Sequence, residues 1–315
     1  MGSFGDGEAI KASISAGALE TARGAGGPRL RQHGGVTLTV PAPADLDVLA
    51  ELVRGGDVVV LSGAGISTES GIPDYRGPSG AFQRNHTPMM YQAFTRDPMA
   101  RRRYWARSYL GWRMMARAEP NDGHRAVARL QSAGLVDEVI TQNVDRLHQA
   151  GGARKVIELH GTLDRVRCLG CGELSDRLDL DDRLRAANPN FHGKVDTVNP
   201  DGDVDLPEAQ LAGFALVDCV SCGDVLKPDV VFFGETVPGE RVTECYNAVD
   251  KARLLLVLGS SLTVYSGRRF VVRATKAGIP VAIVNQGPTR SDECAAVRLE
   301  GPLGPILTEL VVRTR

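Results

Sequence analysis

The strongest chemical signal in the sequence is two pairs of cysteines, Cys168-Leu169-Gly170-Cys171 and Cys219-Val220-Ser221-Cys222. Each pair reads as a knuckle with glycine inside or after it, and four thiolates together can close a tetrahedral zinc site. Four protein ligands leave no open position for water, so the Zn2+ implied here is structural. The chain between the pairs is long for a ribbon, which an inserted loop explains at modest entropic cost. Redox-active pairs are the alternative reading, disfavoured because neither pair opens a helix after a strand. Cys245 and Cys294 stand apart and read as plain buried thiols.

A second signal is the glycine-rich turn Gly63-Ala64-Gly65-Ile66-Ser67-Thr68, directly after the apolar run Val58-Val59-Val60-Leu61. A strand, a G-x-G turn and a helix let backbone N–H groups approach a pyrophosphate, whose charge is favoured at a helix N-terminus. Thr68 replaces the third glycine of the dinucleotide fingerprint, and no strand ending in an acidic residue follows at the expected distance. A hydride-transferring dehydrogenase is therefore disfavoured, and an ordinary tight strand-to-helix turn is the competing reading. Two polar clusters end other apolar segments: Thr141-Gln142-Asn143-Val144-Asp145-Arg146-Leu147-His148 and Glu158-Leu159-His160-Gly161-Thr162. Amides and a carboxylate so placed suit ribose hydroxyls and a carboxamide, and His160 suits a general base near neutral pH. Any one of these histidines read alone is more simply a satisfied structural residue; the conjunction favours chemistry.

These residues need a scaffold that brings strand ends together. Leu46, Leu49, Ala50 and Val53 fall at helical spacing before Gly55-Gly56, and a helix is predicted to begin near Asn121. Val136 to Thr141, Leu254 to Leu258 and Pro280 to Val284 read as buried strands, the last two ending in Gly259-Ser260-Ser261 and Asn285-Gln286-Gly287, with a helix from about Ser266 to Ala277 between them. Such alternation predicts an α/β fold, a Rossmann-like doubly wound parallel sheet that binds ligands at its strands' carboxyl ends. Residues 163–230 break the alternation and read as an inserted small zinc-ribbon module. The flanking segments, 41–162 and 231–315, then form one discontinuous nucleotide-binding domain with a helical segment near 80–120. Residues 1–40, rich in Gly and Ala, read as a flexible tail.

Composition narrows the function classes. Basic residues number 37 and acidic residues 38, a net charge of −1, so no global attraction to nucleic acid or anionic membrane is available. Six lysines against so many arginines point to base composition more than to function. No apolar run approaches the length of a membrane span, and the N-terminal segment does not resemble a secretory signal. Cytoplasm is the expected location, with the mitochondrial matrix as the alternative.

Taken in order, the segments resemble the sirtuins, NAD-dependent protein-lysine deacylases. The resemblance rests on Gly63 to Ser67, Gly71-Ile72-Pro73-Asp74-Tyr75-Arg76, Thr141 to Asp145, Leu159-His160-Gly161-Thr162, the four cysteines, Lys227 to Glu235, Gly259-Ser260-Ser261-Leu262 and Val284-Asn285. It covers residues 45–310. Arg103 to Arg107, Gly111-Trp112, Pro200 to Val204, Val264-Tyr265-Ser266-Gly267 and Gly287 to Asp292 look like the class II, sirtuin-4-like branch.

The resemblance implies NAD as co-substrate. Its pyrophosphate is expected on Gly63, Ala64, Gly65, Ile66 and Thr68, and its adenosine side near Gly259, Ser260, Ser261, Asn285, Gln286 and Gly287. Asn143 and Asp145, with Ile72 and Asp74, would hold the nicotinamide carboxamide beside Tyr75 and Val144. Gln142 would contact the nicotinamide ribose, and Arg76 would order the loop over the cofactor. In that scheme the acyl oxygen of an acyl-lysine attacks C1′, and His160 is the general base that lets a ribose hydroxyl attack the imidate carbon, with Asn143 as the second catalytic residue. Free lysine and an O-acyl-ADP-ribose result. Val231, Phe232, Phe233, Gly234 and Glu235 would pair with the substrate backbone as an added strand. Tyr104-x-x-Arg107 matches a pair that binds a carboxylate in the desuccinylase class, which predicts a preference for acidic or branched acyl groups, such as glutaryl derivatives, over acetyl. Against it stands a helix Tyr and Arg engaged in packing. Rival functions are protein mono-ADP-ribosyl transfer and a non-catalytic NAD- or acyl-lysine-binding module. The partners expected are acyl-lysine proteins or peptides, without nucleic acid or membrane.

Overall fold

The computed structural model describes residues 43–77, 80–84, 87–193, 198–211 and 213–315. The tail expected over 1–40 lies outside them. Four strands form the middle of the fold: β1 (Val58–Ser62), β2 (Val136–Thr141), β7 (Leu254–Leu258) and β8 (Val281–Asn285). With β3 (Val156–Glu158) and β9 (Val297–Glu300) they make a six-stranded sheet in the order β3-β2-β1-β7-β8-β9, every pair parallel.

Residues of β1, β7 and β8 are buried throughout and alternate between two cores, which is why these three are almost wholly apolar, whereas β2 carries the exposed Asp137. Val58 and Val60 of β1 face one core with helices α1 (Pro43–Arg54), α4 (Asp122–Ser132) and α10 (Leu303–Arg313), through Leu49, Val53, Val127 and Leu307. Val59 and Leu61 face the other, with α8 (Gly239–Lys251) and α9 (Tyr265–Lys276), through Val249, Phe270 and Val271. Each such buried side chain stabilises the fold by about 1.5–3 kcal/mol of transfer free energy. Asn121 starts α4 by accepting from Gly123 N at 2.9 Å and His124 N at 3.3 Å. Among the described residues no helix is long and apolar enough to cross a membrane.

The chain leaves β1 on one side toward β2 and later returns on the other as β7, so the ends of β1 and β7 form a topological switch point. A smaller antiparallel sheet, β5-β4-β6, stands apart from the large one: β4 (Gly161–Cys168), β5 (Leu174–Asp176) and β6 (Leu226–Val230). Its core is shared with α6 (Arg177–Ala187) and with the long helix α3 (Pro98–Met115), through Tyr104, Trp105, Tyr109 and Trp112. Trp105 Nε1 donates to Leu226 O at 3.1 Å, tying α3 to β6.

Candidate active site

The turn after β1 differs from the sequence reading. Residues Ala64–Ser70 form a 3-10 helix, not an α-helix, closed by Gly71 at φ 83°. Asn121 Nδ2 donates to Ile66 O at 2.7 Å and to Ser70 Oγ at 3.0 Å, and Thr68 Oγ1 donates to Gly65 O at 2.9 Å. The Gly65 carbonyl is thus taken by a local hydroxyl and the Ile66 carbonyl by a side chain 55 positions away. The neighbouring strand end presses close: Gly65 N donates to Gly259 O at 2.8 Å, and Gly259 sits at φ 61°. A Cβ on Gly65 would lie 2.8 Å from Gly259 O, so glycine is required at both positions.

The polar residues after β2 meet this turn. Asn143 Nδ2 donates to Gly63 O at 3.2 Å and to Ser67 Oγ at 3.0 Å, while Ser67 Oγ donates to Asp145 Oδ2 at 2.6 Å. Burial raises the Asp145 carboxyl above its ordinary value, opposed by hydrogen bonds from Ser67, Leu147 N and Asn143. Gln142 Nε2 reaches across to Ser62 O at 3.1 Å and Ser260 Oγ at 2.9 Å, joining the ends of β1, β2 and β7.

His160 lies in the turn between β3 and β4, its Nδ1 2.9 Å from Gln142 O and its Nε2 2.9 Å from Ser266 Oγ. A carbonyl only accepts, so Nδ1 carries the proton and Nε2 keeps its lone pair in the neutral ring. Burial pushes this imidazole down to about 4, with Arg241 and Arg269 acting the same way against the Gln142 carbonyl.

Two buried histidines lie outside the expected site set. His124 and His148 meet edge to face, ring centroids 5.0 Å apart. Asn121 N donates to His124 Nδ1 at 3.3 Å, so His124 Nε2–H faces Ser67 Oγ at 3.4 Å. His148 Nε2 lies 2.9 Å from Ser62 Oγ, which itself donates to Thr141 Oγ1 at 2.9 Å. Burial pushes His124 down to about 3 and His148 to about 4. Ser62, Ser67 and His124 carried too little local pattern to be singled out; the capping Asn121 with His124 three residues on was the available signal.

The other expected residues line the same edge. Asp74 accepts from Gly77 N at 2.8 Å, and the loop after Ile72 carries Tyr75 onto Phe82 and Phe233, centroids 5.4 and 5.9 Å away, with Arg76 over Phe82 at 4.9 Å. Ile72 is buried and Val144 O accepts from Leu163 N at 3.1 Å. Asn285 Nδ2 donates to Gln286 O at 3.2 Å and Gly287 O at 2.9 Å, and Ser261 O accepts from Arg290 N at 3.0 Å, which fixes the loops after β8 and β7. Amides, a carboxylate, hydroxyls and close-packed backbone at a switch point form a donor and acceptor set that fits NAD.

The four cysteines converge, all four sulfurs lying within 4.8 Å of one another. Cys168 Sγ is 3.4 Å from Cys222 Sγ and Cys171 Sγ 3.9 Å from Cys219 Sγ, close to the edge of about 3.8 Å expected for Zn–S bonds of about 2.3 Å. The two knuckles match: Gly172 N donates to Cys168 O at 3.1 Å and Gly223 N to Cys219 O at 2.9 Å, the glycines at φ 76° and 75°. Tetrahedral structural zinc fits this shell.

The Sir2 family model matches residues 63–266. The chain belongs to the Sir2 family. A Streptomyces coelicolor protein named NAD-dependent protein deacetylase 1 is 59% identical over 273 residues, 87% of this chain and 91% of its own length. A Bordetella bronchiseptica NAD-dependent protein deacetylase is 48% identical, covering 85% and 98%. Among solved structures, one describing the mechanism and regulation of Sir2 enzymes superposes with a TM-score of 0.69 at 33% identity, over 87% of this chain and 98% of the other. A Sir2 structure with a p53 peptide and NAD+ gives 0.67 at 31%, over 84% and 96%.

On the substrate side of this Sir2 chain, two expectations change. Val231 N donates to His160 O at 2.8 Å, Phe232 N to Glu235 Oε2 at 2.8 Å, and Tyr91 N to Phe233 O at 2.9 Å. Gln92 Nε2 donates to Gly234 O at 3.0 Å. Much of the Val231–Glu235 edge is thus satisfied internally, which leaves an added strand less to pair with than the sequence reading assumed. Tyr104 and Arg107 also part company. Tyr104 is buried edge to face against Phe94 at 5.5 Å and Phe232 at 5.1 Å. Arg107 turns to the 203–205 loop, with Nε 2.5 Å from Val204 O and 3.3 Å from Asp203 Oδ2, and Nη2 2.6 Å from Asp205 Oδ1. The two residues do not offer a joint fork in this conformation, because two carboxylates of the chain itself hold the guanidinium.

Proposed function

We propose that the protein is an NAD-dependent protein-lysine deacylase of the class II, sirtuin-4-like branch. The observation that carries the reading is His160: a neutral ring, proton fixed on Nδ1 by the carbonyl of Gln142, the residue that precedes Asn143, with its Nε2 lone pair turned to the Ser266 hydroxyl. When bound, NAD supplies an electrophilic ribose carbon and nicotinamide as leaving group.

This chain's residues do the rest. Asn143 and Asp145 would hold the carboxamide, and Gln142 the nicotinamide ribose. Tyr75, Phe82 and Phe233, packed on one another, would exclude water from the reacting centre. His160 takes a proton from a ribose hydroxyl at Nε2, and its pKa of about 4 keeps it neutral, hence able to accept, across the physiological range. Acidic acyl groups are the preferred substrates in this reading, with Arg107 released from Asp203 and Asp205 to meet the carboxylate. The test is mass spectrometry of NAD turnover with a panel of acyl-lysine peptides. Nicotinamide and O-acyl-ADP-ribose are expected together, with glutaryl-lysine ahead of acetyl-lysine. ADP-ribosylated protein without free lysine would overturn it.

A further inference from the structure

Ser266 is absent from the expected set of site residues, yet it touches the base. Its Oγ lies 2.9 Å from His160 Nε2, and Nδ1 on the opposite side of the ring lies 2.9 Å from Gln142 O. The tautomer is forced, because the carbonyl cannot donate. Nδ1 holds the proton, so Nε2 is a bare acceptor and the Ser266 hydroxyl must be the donor.

The backbone around Ser266 is arranged for this bond. Ser266 is the second residue of α9, whose N-cap, Val264, makes no side-chain capping bond. A serine in a first helical turn commonly spends its hydroxyl on the backbone; here it is turned to the imidazole instead. The next residue, Gly267, is buried, and a Cβ there would lie 2.4 Å from Gln142 Oε1 and 2.6 Å from Gln142 Cδ. The start of α9 therefore packs directly on the Gln142 side chain, while the carbonyl of the same residue holds Nδ1. One helical turn grips the base from two directions: Ser266 directly at Nε2, and Gly267 by admitting the residue that holds Nδ1.

Resting on the deacylase reading above, we propose that Ser266 is a positioning residue for His160, its hydroxyl fixing the ring so that the Nε2 lone pair points where a substrate hydroxyl arrives. No covalent step is added. The serine proton stays on Oγ, and the proton that moves is the ribose hydroxyl's, to Nε2. When that hydroxyl gives its proton to Nε2, the Ser266 hydroxyl turns over and its oxygen accepts from the new Nε2–H, so the ring stays held from both sides. A ring held at one nitrogen only swings about its Nδ1 bond and spends part of its time misaligned, a loss that affects the proton-transfer step and not the binding of either substrate.

The test uses the full chain with an acyl-lysine peptide and compares wild type, Ser266→Ala and Ser266→Thr. Ser266→Ala is expected to lower kcat for deacylation about tenfold, the scale of one lost hydrogen bond, with KM for NAD and peptide little changed. Nicotinamide exchange, which precedes the base-dependent step, should fall less, and Ser266→Thr should recover most of the loss by restoring the hydroxyl. Nitrogen NMR of the imidazole in the unliganded protein should show Nδ1 protonated and Nε2 not. In Ser266→Ala the Nε2 signal alone should move. Equal kcat in wild type and Ser266→Ala, equal damage from Ala and Thr, or a proton on Nε2 would each overturn the proposal. A wild type that turns over normally beside an unaffected Ser266→Ala sinks only the role of Ser266. A wild type that releases no nicotinamide sinks the deacylase reading, and the nitrogen signals still decide whether the Ser266 bond exists.

Discussion

Ser67 donates a 2.6 Å hydrogen bond to the carboxylate of Asp145, a residue 78 positions later in the chain, and thereby joins the turn after β1 to the strand end of β2. Asp145 is a buried acid whose carboxyl burial has raised, and Ser67 is the first of the hydrogen bonds that oppose the rise. The ionised form of this residue depends on a neighbour that the glycine turn supplies.

Replacing that neighbour should therefore act through Asp145. In Ser67→Ala the Asp145 pKa is expected to rise further, so the ionised fraction falls and the acid limb of kcat/KM for NAD moves to higher pH. A lost hydrogen bond to a charged group is worth about 1.5–3 kcal/mol, or roughly 10- to 100-fold in kcat/KM. Initial rates of nicotinamide release from pH 5 to 9 check this.

The two buried histidines, His124 and His148, should show in stability. Both have folded-state pKa values lowered by burial, His124 to about 3 and His148 to about 4, from an ordinary 6.5. The unfolded chain binds protons that the folded one refuses, so stability is full above pH 6.5 and is lost as pH falls below it. Each histidine contributes a slope of up to about 1.4 kcal/mol per pH unit. Urea titrations at pH 7, 6 and 5 should show the decline, reduced in His148→Asn.

The cysteine cluster should matter for folding and not for the chemistry. Cys171→Ser breaks a four-sulfur shell whose members all lie within 4.8 Å. It is expected to release zinc and cost about 4 kcal/mol or more, lowering Tm by roughly 10 °C. Metal analysis and thermal melts of wild type, variant and chelator-treated protein check it.

Arg107 offers a test of acyl choice. Asp203 and Asp205 hold its guanidinium, so the double variant Asp203→Asn, Asp205→Asn should raise kcat/KM for glutaryl-lysine relative to acetyl-lysine by about tenfold, the scale of one charged contact. Arg107→Gln should bring the two substrates level. Steady-state rates on the paired peptides check both outcomes.

Much of the fold could be read in the sequence because parallel strands buried on both faces leave uninterrupted apolar runs, as in Val58 to Leu61 and Leu254 to Leu258. β9 could not: Val297–Glu300 is an edge strand with one fully buried side chain and no apolar run. The clustered cysteines were legible from spacing alone. The contacts of Arg107 with Asp203 and Asp205 were not, because they join residues nearly a hundred positions apart. The roles of His124, His148 and Ser266 were not legible either: His148 and Ser266 stand in the Thr141–His148 and Val264–Gly267 runs and His124 follows the capping Asn121, but what each side chain touches is set by tertiary neighbours.

The most direct measurement of the central claim counts products. Purified protein, NAD and an acyl-lysine peptide are incubated at neutral pH, and nicotinamide and free-lysine peptide are quantified for wild type and His160→Ala. The account predicts one nicotinamide per deacylated peptide in wild type, dependence of release on the peptide, and loss of free lysine in His160→Ala. Free lysine formed without nicotinamide, or undiminished deacylation by His160→Ala, would contradict it.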